Sequence, residues 1–338
     1  MSSLAVKYRP NDFNSVCSQE AIIRILTQQL NKHEIKNCYL FCGASGCGKT
    51  TIARIFANLI NNHIGTPIEI DGASNNGVDN VKQICKAAQE RAIDGEYKVY
   101  IIDECHSLSN QAWQAFLKTI EEPPKYTIFI FCTTDPQKIP ATILNRVMRL
   151  NFTRIGYNKV KERLNYICNC ENYTNFDDAV DYIAKLSDGG MRDAIAYLEK
   201  VASYSTDLTL DNVLNALGNY SYETFFNLIN FIIDGKEADM LNILQAFYDE
   251  GNDLKLFVNQ FFNFILDINK YIIFNNMSML KIPNTMENYI KNSINIESAN
   301  QYYAYVLDKL LELKNMVKND TMIKSTIEVM LLKILRMQ

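Results

Sequence analysis

Turn-forming residues are scarce in this chain, with 13 glycines and 7 prolines among 338 residues. Collagen-like and disordered compositions are thereby excluded. No apolar run approaches the roughly 18 residues of a membrane span, and Lys7 and Arg9 interrupt the N-terminal segment before a signal-peptide core can form. A soluble intracellular protein is expected, with no membrane partner. The nine cysteines are odd in number, contain no Cys-x-x-Cys, and several lie inside apolar runs, CYLFCG and IFIFCTT. They read as buried thiols in a reducing compartment; the nearest pair, Cys168 and Cys170, has no further ligands nearby, so no zinc is expected. An excess of positive charge is also missing. The net charge of −4, from 34 basic and 38 acidic residues, argues as a whole against a nucleic-acid partner. Residues 1–205, however, carry 23 basic and 22 acidic groups and residues 206–338 carry 11 and 16, so the acidity lies in the last third.

What is present is a globular composition, 48% hydrophobic and 21% charged, long enough for two or three domains. Five β-rich runs alternate with helical stretches up to Phe152: Cys38 to Cys42, Ile68 to Asp71, Tyr97 to Asp103, Tyr126 to Thr134 and Val147 to Phe152. Such alternation predicts an α/β fold with a parallel five-stranded sheet covered by helices on both faces. Strand patterns then stop. Residues 156–205 read as a small helical domain containing a Gly189-Gly190 break, and 206–338 as an all-helical domain with wide apolar faces suited to packing on other helices, whether of this chain or of other subunits. The expected domains are therefore 1–155, 156–205 and 206–338.

The sharpest local signal is Gly43-Ala44-Ser45-Gly46-Cys47-Gly48-Lys49-Thr50, which follows an apolar strand and runs into the helical stretch TTIARIFANLI that begins at Thr50. This is a phosphate-binding loop in its required context: glycines let backbone N–H groups turn toward phosphates, and a helix N-terminus adds its positive end. Lys49 would neutralise β- and γ-phosphate charge, and Thr50 would ligate Mg²⁺. A second signal, KVYIIDECH, is a strand ending in Asp103 and Glu104. A parallel strand delivers such residues to the sheet edge where ligands bind. Asp103 would hold Mg²⁺ directly or through water, and Glu104 would orient and polarise an attacking water. Together the two signals specify a nucleoside triphosphatase. A hydroxyl in Thr133-Thr134-Asp135 could sense the γ-phosphate or hold the water, Arg146 precedes the last strand on a surface that could face a neighbouring subunit, and Arg192 opens a helix of the small domain.

KYRPNDF, the phosphate loop, EIDGASNNGVD, YKVYIIDECHSLSNQAWQAFLKTIEEPP, FIFCTTDPQKIPATILNRVMRLNF and GGMRDAIAYLEK, in that order, closely resemble the bacterial clamp-loader ATPases of the DNA polymerase III gamma/tau family, members of the AAA+ superfamily. The resemblance is dense from Lys7 to about Val201 and weaker beyond. It implies an AAA+ P-loop ATPase fold with a helical lid and an all-α oligomerisation collar, with ATP and Mg²⁺ as ligands. By position, Thr134 matches sensor 1, Arg192 matches sensor 2, and Lys7, Tyr8, Arg9 and Pro10 match the segment that wraps the nucleotide base. Arg146 matches an arginine finger acting in trans, and Asn75, Asn76, Lys82, Lys118 and Thr142 match the DNA-facing positions. Lys82 and Lys118 also suit ordinary exposed helix positions. Clamp contact is implied near Gln83 to Asp94.

Three departures stand out. The finger reads Asn145-Arg146-Val147 where the family usually has Ser-Arg-Cys. The segment 59–67, LINNHIGTP, has no cysteine where the family carries a four-cysteine zinc module, and the chain stops at Gln338 without a tau extension, so a short, gamma-like form without zinc is expected. The implied partners are other clamp-loader subunits in a homo- or hetero-pentamer, a sliding clamp and primer-template DNA. The implied place is the bacterial cytoplasm, or the host cytoplasm if the chain is phage-encoded. Two alternatives share the nucleotide motifs. A branch-migration type DNA motor would need a DNA-binding module at the C-terminus, where an oligomerising collar is read instead. A non-hydrolysing clamp-loader scaffold is disfavoured by the presence of Lys49, Asp103, Glu104 and Arg146.

Overall fold

A computed structural model describes residues 3–277, 280–283, 286–293, 296–318 and 320–336. The chain divides into two compact units, Met1–Ile167 with Ser187–Ala196, and Cys168–Leu186 with Tyr197–Gln338. The segment 156–205 is thus shared between the two.

The first unit opens with α1 (Leu4–Lys7) and α2 (Glu20–Lys32) and then alternates β1 (Cys38–Cys42), α3 (Lys49–Ile60), β2 (Ile68–Asp71), α4 (Val78–Ala88), β3 (Lys98–Asp103), α5 (Asn110–Glu121), β4 (Thr127–Thr133), α6 (Ala141–Leu144) and β5 (Met148–Asn151). The strands form one five-stranded sheet in the order β2-β3-β4-β1-β5, every pair parallel. Each strand matches an expected run to within one residue at either end. At the start of β3, for example, the Tyr97 N–H donates to the Asn61 side chain at 2.8 Å and not to a neighbouring strand.

Every residue of β1 and β4 is buried, because these strands are interior and helices cover both of their faces. Side-chain alternation then sorts the core into two layers. Tyr39, Phe41, Val99, Ile101, Ile128 and Ile130 pack with Ile52 and Phe56 of α3 on one face. Leu40, Tyr100, Ile102, Phe129 and Phe131 pack with Val81 of α4, Trp113 and Phe116 of α5 and Ile143 of α6 on the other. On that second face Tyr100 stacks on Phe129 with centroids 5.2 Å apart, and Phe116 meets Phe129 edge-on at 5.8 Å. The edge strand β2 is mostly exposed, in keeping with a sheet that simply ends there.

Beyond the sheet come α7 (Tyr157–Glu171), α8 (Asp177–Leu186), α9 (Met191–Tyr204), α10 (Leu210–Leu217), α11 (Tyr222–Ile233), α12 (Glu237–Asp249), α13 (Leu254–Phe274), α14 (Glu287–Ser293), α15 (Ile296–Met316) and α16 (Ile323–Leu335). The second unit buries an aromatic seam in which Phe225 and Phe226 of α11 meet Phe257, Phe261 and Phe264 of α13. Helix α13 also docks on α15, where the buried Asn269 amide donates to the Tyr303 carbonyl at 3.1 Å. No described helix is long and apolar enough to cross a membrane.

Candidate nucleotide site

Strands β3, β4 and β1 are adjacent in the sheet, so the residues that leave their C-terminal ends fall along one edge. The Gly43 N–H donates to the Thr133 carbonyl at 3.1 Å, tying the start of the phosphate loop to the end of β4. At the other end of the loop Gly48 has φ of +99°, a left-handed conformation that a side chain resists, and it turns the chain into α3. The first N–H groups of α3 have no intrahelical acceptor and face the cleft with the positive end of the helix dipole.

Lys49 is buried, and its ammonium donates to the carbonyl oxygens of Gly43 at 2.8 Å and Ala44 at 2.9 Å. An ammonium has three protons; two are held by the loop, and the third is the donor an anion would meet. Cys47 is buried beside it, and burial pushes its thiol up against the lowering effect of Lys49. It therefore remains a neutral thiol and adds no negative charge to a phosphate site.

Thr50 donates its hydroxyl to Asp103 Oδ2 at 2.7 Å, and Asp103 Oδ1 accepts the Glu104 N–H at 2.9 Å. A hydroxyl and a carboxylate oxygen in contact form the hard-donor pair that suits a small divalent cation such as Mg²⁺. Glu104 has φ of +46°. A non-glycine residue in this region costs on the order of 1 kcal/mol, and the turn redirects its side chain away from the strand direction. Glu104 Oε2 accepts the Thr134 hydroxyl at 3.1 Å and lies 3.2 Å from His106 Nδ1.

These groups open onto a cleft of about 190 Å³. Ser45, Gly46, Cys47, Gly48, Lys49, Thr50 and Thr51 line it, with Asp103 and Glu104 on one side and Tyr8, Arg9 and Pro10 on another. Arg192, at the start of α9, also lines it. That approach depends on two glycines: a Cβ on Gly46 would lie 3.1 Å from Gly190 Cα, and the Met191 N–H donates to the Gly46 carbonyl at 3.0 Å. Gly43 and Ala44 serve through their carbonyls, and Thr134 acts through Glu104.

Other expected residues lie elsewhere. Lys7 ends α1 with its ammonium 5.4 Å from the Tyr8 ring centre and is not part of the cleft wall. Arg146 is likewise off the wall; its guanidinium pairs with Glu121 at 2.8 Å and donates to the Thr142 carbonyl at 2.7 Å. Asn76, Lys82, Lys118 and Thr142 are exposed and Asn75 is half-buried. They sit on or beside α4, α5 and α6, the helices covering one face of the sheet. Lys82 is 3.8 Å from Asp79, an exposed pair of little energetic weight.

Three residues not singled out in the sequence also shape the site. Gln19 is buried with φ of +76°, and its amide donates to the Cys47 carbonyl at 3.3 Å and the Thr153 carbonyl at 2.7 Å. Arg163 lines the cleft and donates to the Tyr8 carbonyl at 2.6 Å. His106 stands behind Glu104. Gln19 and Arg163 lie outside any recognisable motif, and only the adjacency of His106 to Asp103-Glu104 was a usable signal.

A parallel sheet in the order β2-β3-β4-β1-β5, with a phosphate loop after β1 and an acidic pair at the end of β3, is an AAA+ P-loop fold. Comparison with known proteins agrees. The solved structure of Thermotoga maritima RuvB, described as a Holliday junction branch migration motor, superposes with a TM-score of 0.53 at 22% identity, covering 67% of this chain and 79% of that one. Residues 62–156 match the family model described as DNA polymerase III, delta subunit, and residues 208–338 match DNA polymerase III subunits gamma and tau domain III. The DNA polymerase III subunit gamma of Buchnera aphidicola is 30% identical over 92% of this chain and 86% of its own length. The subunit gamma/tau of Mycoplasma genitalium is 31% identical over 91% of this chain and 55% of its own length. The chain belongs to the DNA polymerase III gamma/tau family. It spans about half the length of several curated relatives that it matches.

Proposed function

We propose that this chain is an ATP-hydrolysing subunit of a sliding-clamp loader. The observation that carries the proposal is the line of contacts Thr50–Asp103–Glu104–Thr134 beside the buried Lys49, along one sheet edge, in a chain of the gamma/tau family. In this reading the loop N–H groups and Lys49 bind the β- and γ-phosphates, and Tyr8, Arg9 and Pro10 flank the base. Thr50 and Asp103 hold Mg²⁺, which when bound supplies charge neutralisation to the phosphates. Glu104 takes a proton from water as the water oxygen bonds to the γ-phosphorus, the bond from that phosphorus to the β–γ bridging oxygen breaks, and ADP leaves with the bonding electrons. Thr134 holds Glu104, and Arg192 reaches the nucleotide from residues 156–205, which we read as a lid. Arg146, held off its own cleft by Glu121, completes a neighbour's site, and residues 206–338 form the collar of a pentamer.

ATP binding would stabilise a subunit spiral that opens the clamp and accepts primer-template DNA in the cytoplasm; hydrolysis would release the closed clamp. Asn75, Asn76, Lys82, Lys118 and Thr142 offer a sparse, sequence-independent grip on phosphates that becomes useful by repetition around a spiral. The RuvB likeness concerns the fold, whereas the match of residues 208–338 to gamma and tau domain III favours the loader over a motor. The test is ATP hydrolysis by the assembled complex with and without clamp and primed DNA. Stimulation that requires both is expected. Stimulation by DNA alone with translocation would identify a motor, and absence of hydrolysis a scaffold.

A further inference from the structure

We infer that His106 is a positioning residue for Glu104, acting through the N–H at Nδ1. The inference rests on the reading of Glu104 as the carboxylate that takes the proton of the attacking water. His106 Nδ1 lies 3.2 Å from Glu104 Oε2 and 3.2 Å from Thr133 Oγ1. An ionised carboxylate only accepts hydrogen bonds, so in this inference the tautomer is the one with the proton on Nδ1, the nitrogen that approaches both Glu104 and the Thr133 hydroxyl. Thr133 is fully buried at the end of β4, and its oxygen also accepts the Asp135 N–H at 3.0 Å. The imidazole Nδ1 therefore sits between the end of β4 and Glu104.

The Thr134 hydroxyl donates to the same oxygen, Glu104 Oε2, at 3.1 Å. With the Nδ1 proton so placed, the Thr134 hydroxyl, just past β4, and the His106 N–H, from the turn after β3, converge on Oε2 and leave Oε1 to receive a proton. A glutamate side chain has three free torsions, and this one projects from a strained turn with 42% of its surface exposed. Without the two donors its carboxylate would sample many orientations, few of them aligned with a water at the γ-phosphate. His106 neither gains nor loses a proton in the step; it fixes which oxygen faces the reaction.

Asparagine separates this role from packing. Its side-chain NH₂ sits at the δ position, where Nδ1 of histidine sits, whereas the NH₂ of glutamine lies one atom farther out. The experiment measures kcat, KM and nucleotide affinity for His106→Ala, His106→Asn and His106→Gln in the assembled complex, with Glu104→Gln as reference. His106→Ala is expected to lower kcat about tenfold, a fraction of the 10²–10⁴ that general-base catalysis contributes, with KM and affinity unchanged. His106→Asn should restore most of the rate and His106→Gln little. A wild-type kcat in His106→Ala, or equal rates for the asparagine and glutamine variants, would overturn the inference while Glu104→Gln is inactive. Should the alanine variant lose nucleotide binding through misfolding, the asparagine and glutamine pair decides alone. Retained hydrolysis in Glu104→Gln would instead overturn the reading of Glu104 itself.

Discussion

A buried ammonium is costly unless its protons are taken up, and the loop carbonyls of Gly43 and Ala44 take two of the three on Lys49. Removing the ammonium deletes the proposed charge-assisted contact to phosphate, about 2–3 kcal/mol, and Lys49→Ala is expected to weaken ATP binding about 30- to 150-fold. Arg146 should behave in the opposite way. It contacts Glu121 and the Thr142 carbonyl and does not line its own cleft, so Arg146→Ala should leave ATP affinity unchanged. In the assembled complex the same change should lower hydrolysis by about 10³ or more, the scale of an arginine finger. Equilibrium titration with labelled ATP, paired with steady-state hydrolysis, separates the two variants. Unaltered hydrolysis in assembled Arg146→Ala would remove its assignment in trans.

The elements place these side chains, and β4 does most of it. It lies between β1 and β3, so it sets the distance between the phosphate loop and the acidic pair. Phe129, in its middle, is fully buried against Tyr100, Phe116 and Phe131. Truncating a buried phenylalanine costs about 3–5 kcal/mol, and Phe129→Ala is expected to destabilise the first unit by that amount. Trp113, the single tryptophan and part of the same aromatic layer, makes urea unfolding of this unit readable by fluorescence. A loss below about 1 kcal/mol would mean that the layer collapses around the cavity without loss of fit. The strands were legible because buried parallel strands are continuous apolar runs flanked by polar turns, as in CYLFC and TIFIFCT. The phosphate loop and Asp103-Glu104 were legible because their chemistry is local in sequence. Gln19 and Arg163 were not, since they reach the site through hydrogen bonds to the Cys47 and Tyr8 carbonyls, 28 and 155 positions away in the chain. Long-range side-chain to backbone contacts leave no periodicity to detect.

At the scale of the molecule, hydrophobic patterning separated the sheet-bearing part from the helices that follow, and split those helices by the width of their apolar faces. Compactness divides the chain differently: Ser187–Ala196 belongs with the sheet-containing unit, whereas Cys168–Leu186 and Tyr197 onward belong with the helical one. The reason is visible at Gly46 and Gly190, whose close approach ties the start of α9 to the phosphate loop. Such a tie depends on two small residues, which no amphipathic pattern records. The net charge of −4 fits the same division of labour, since the acidity falls in residues 206–338 and leaves the sheet-bearing part near neutrality. Under the proposed function, that balance predicts a weak, salt-sensitive grip on DNA per subunit. In the proposed function, ATP at the Lys49 cleft drives clamp loading. Its most direct test is transfer of a closed sliding clamp onto primed circular DNA by the complex containing this chain, with wild type compared with Lys49→Ala. ATP-dependent loading by the wild type and none by the variant is expected; loading without ATP, or undiminished loading by Lys49→Ala, would contradict the proposed function.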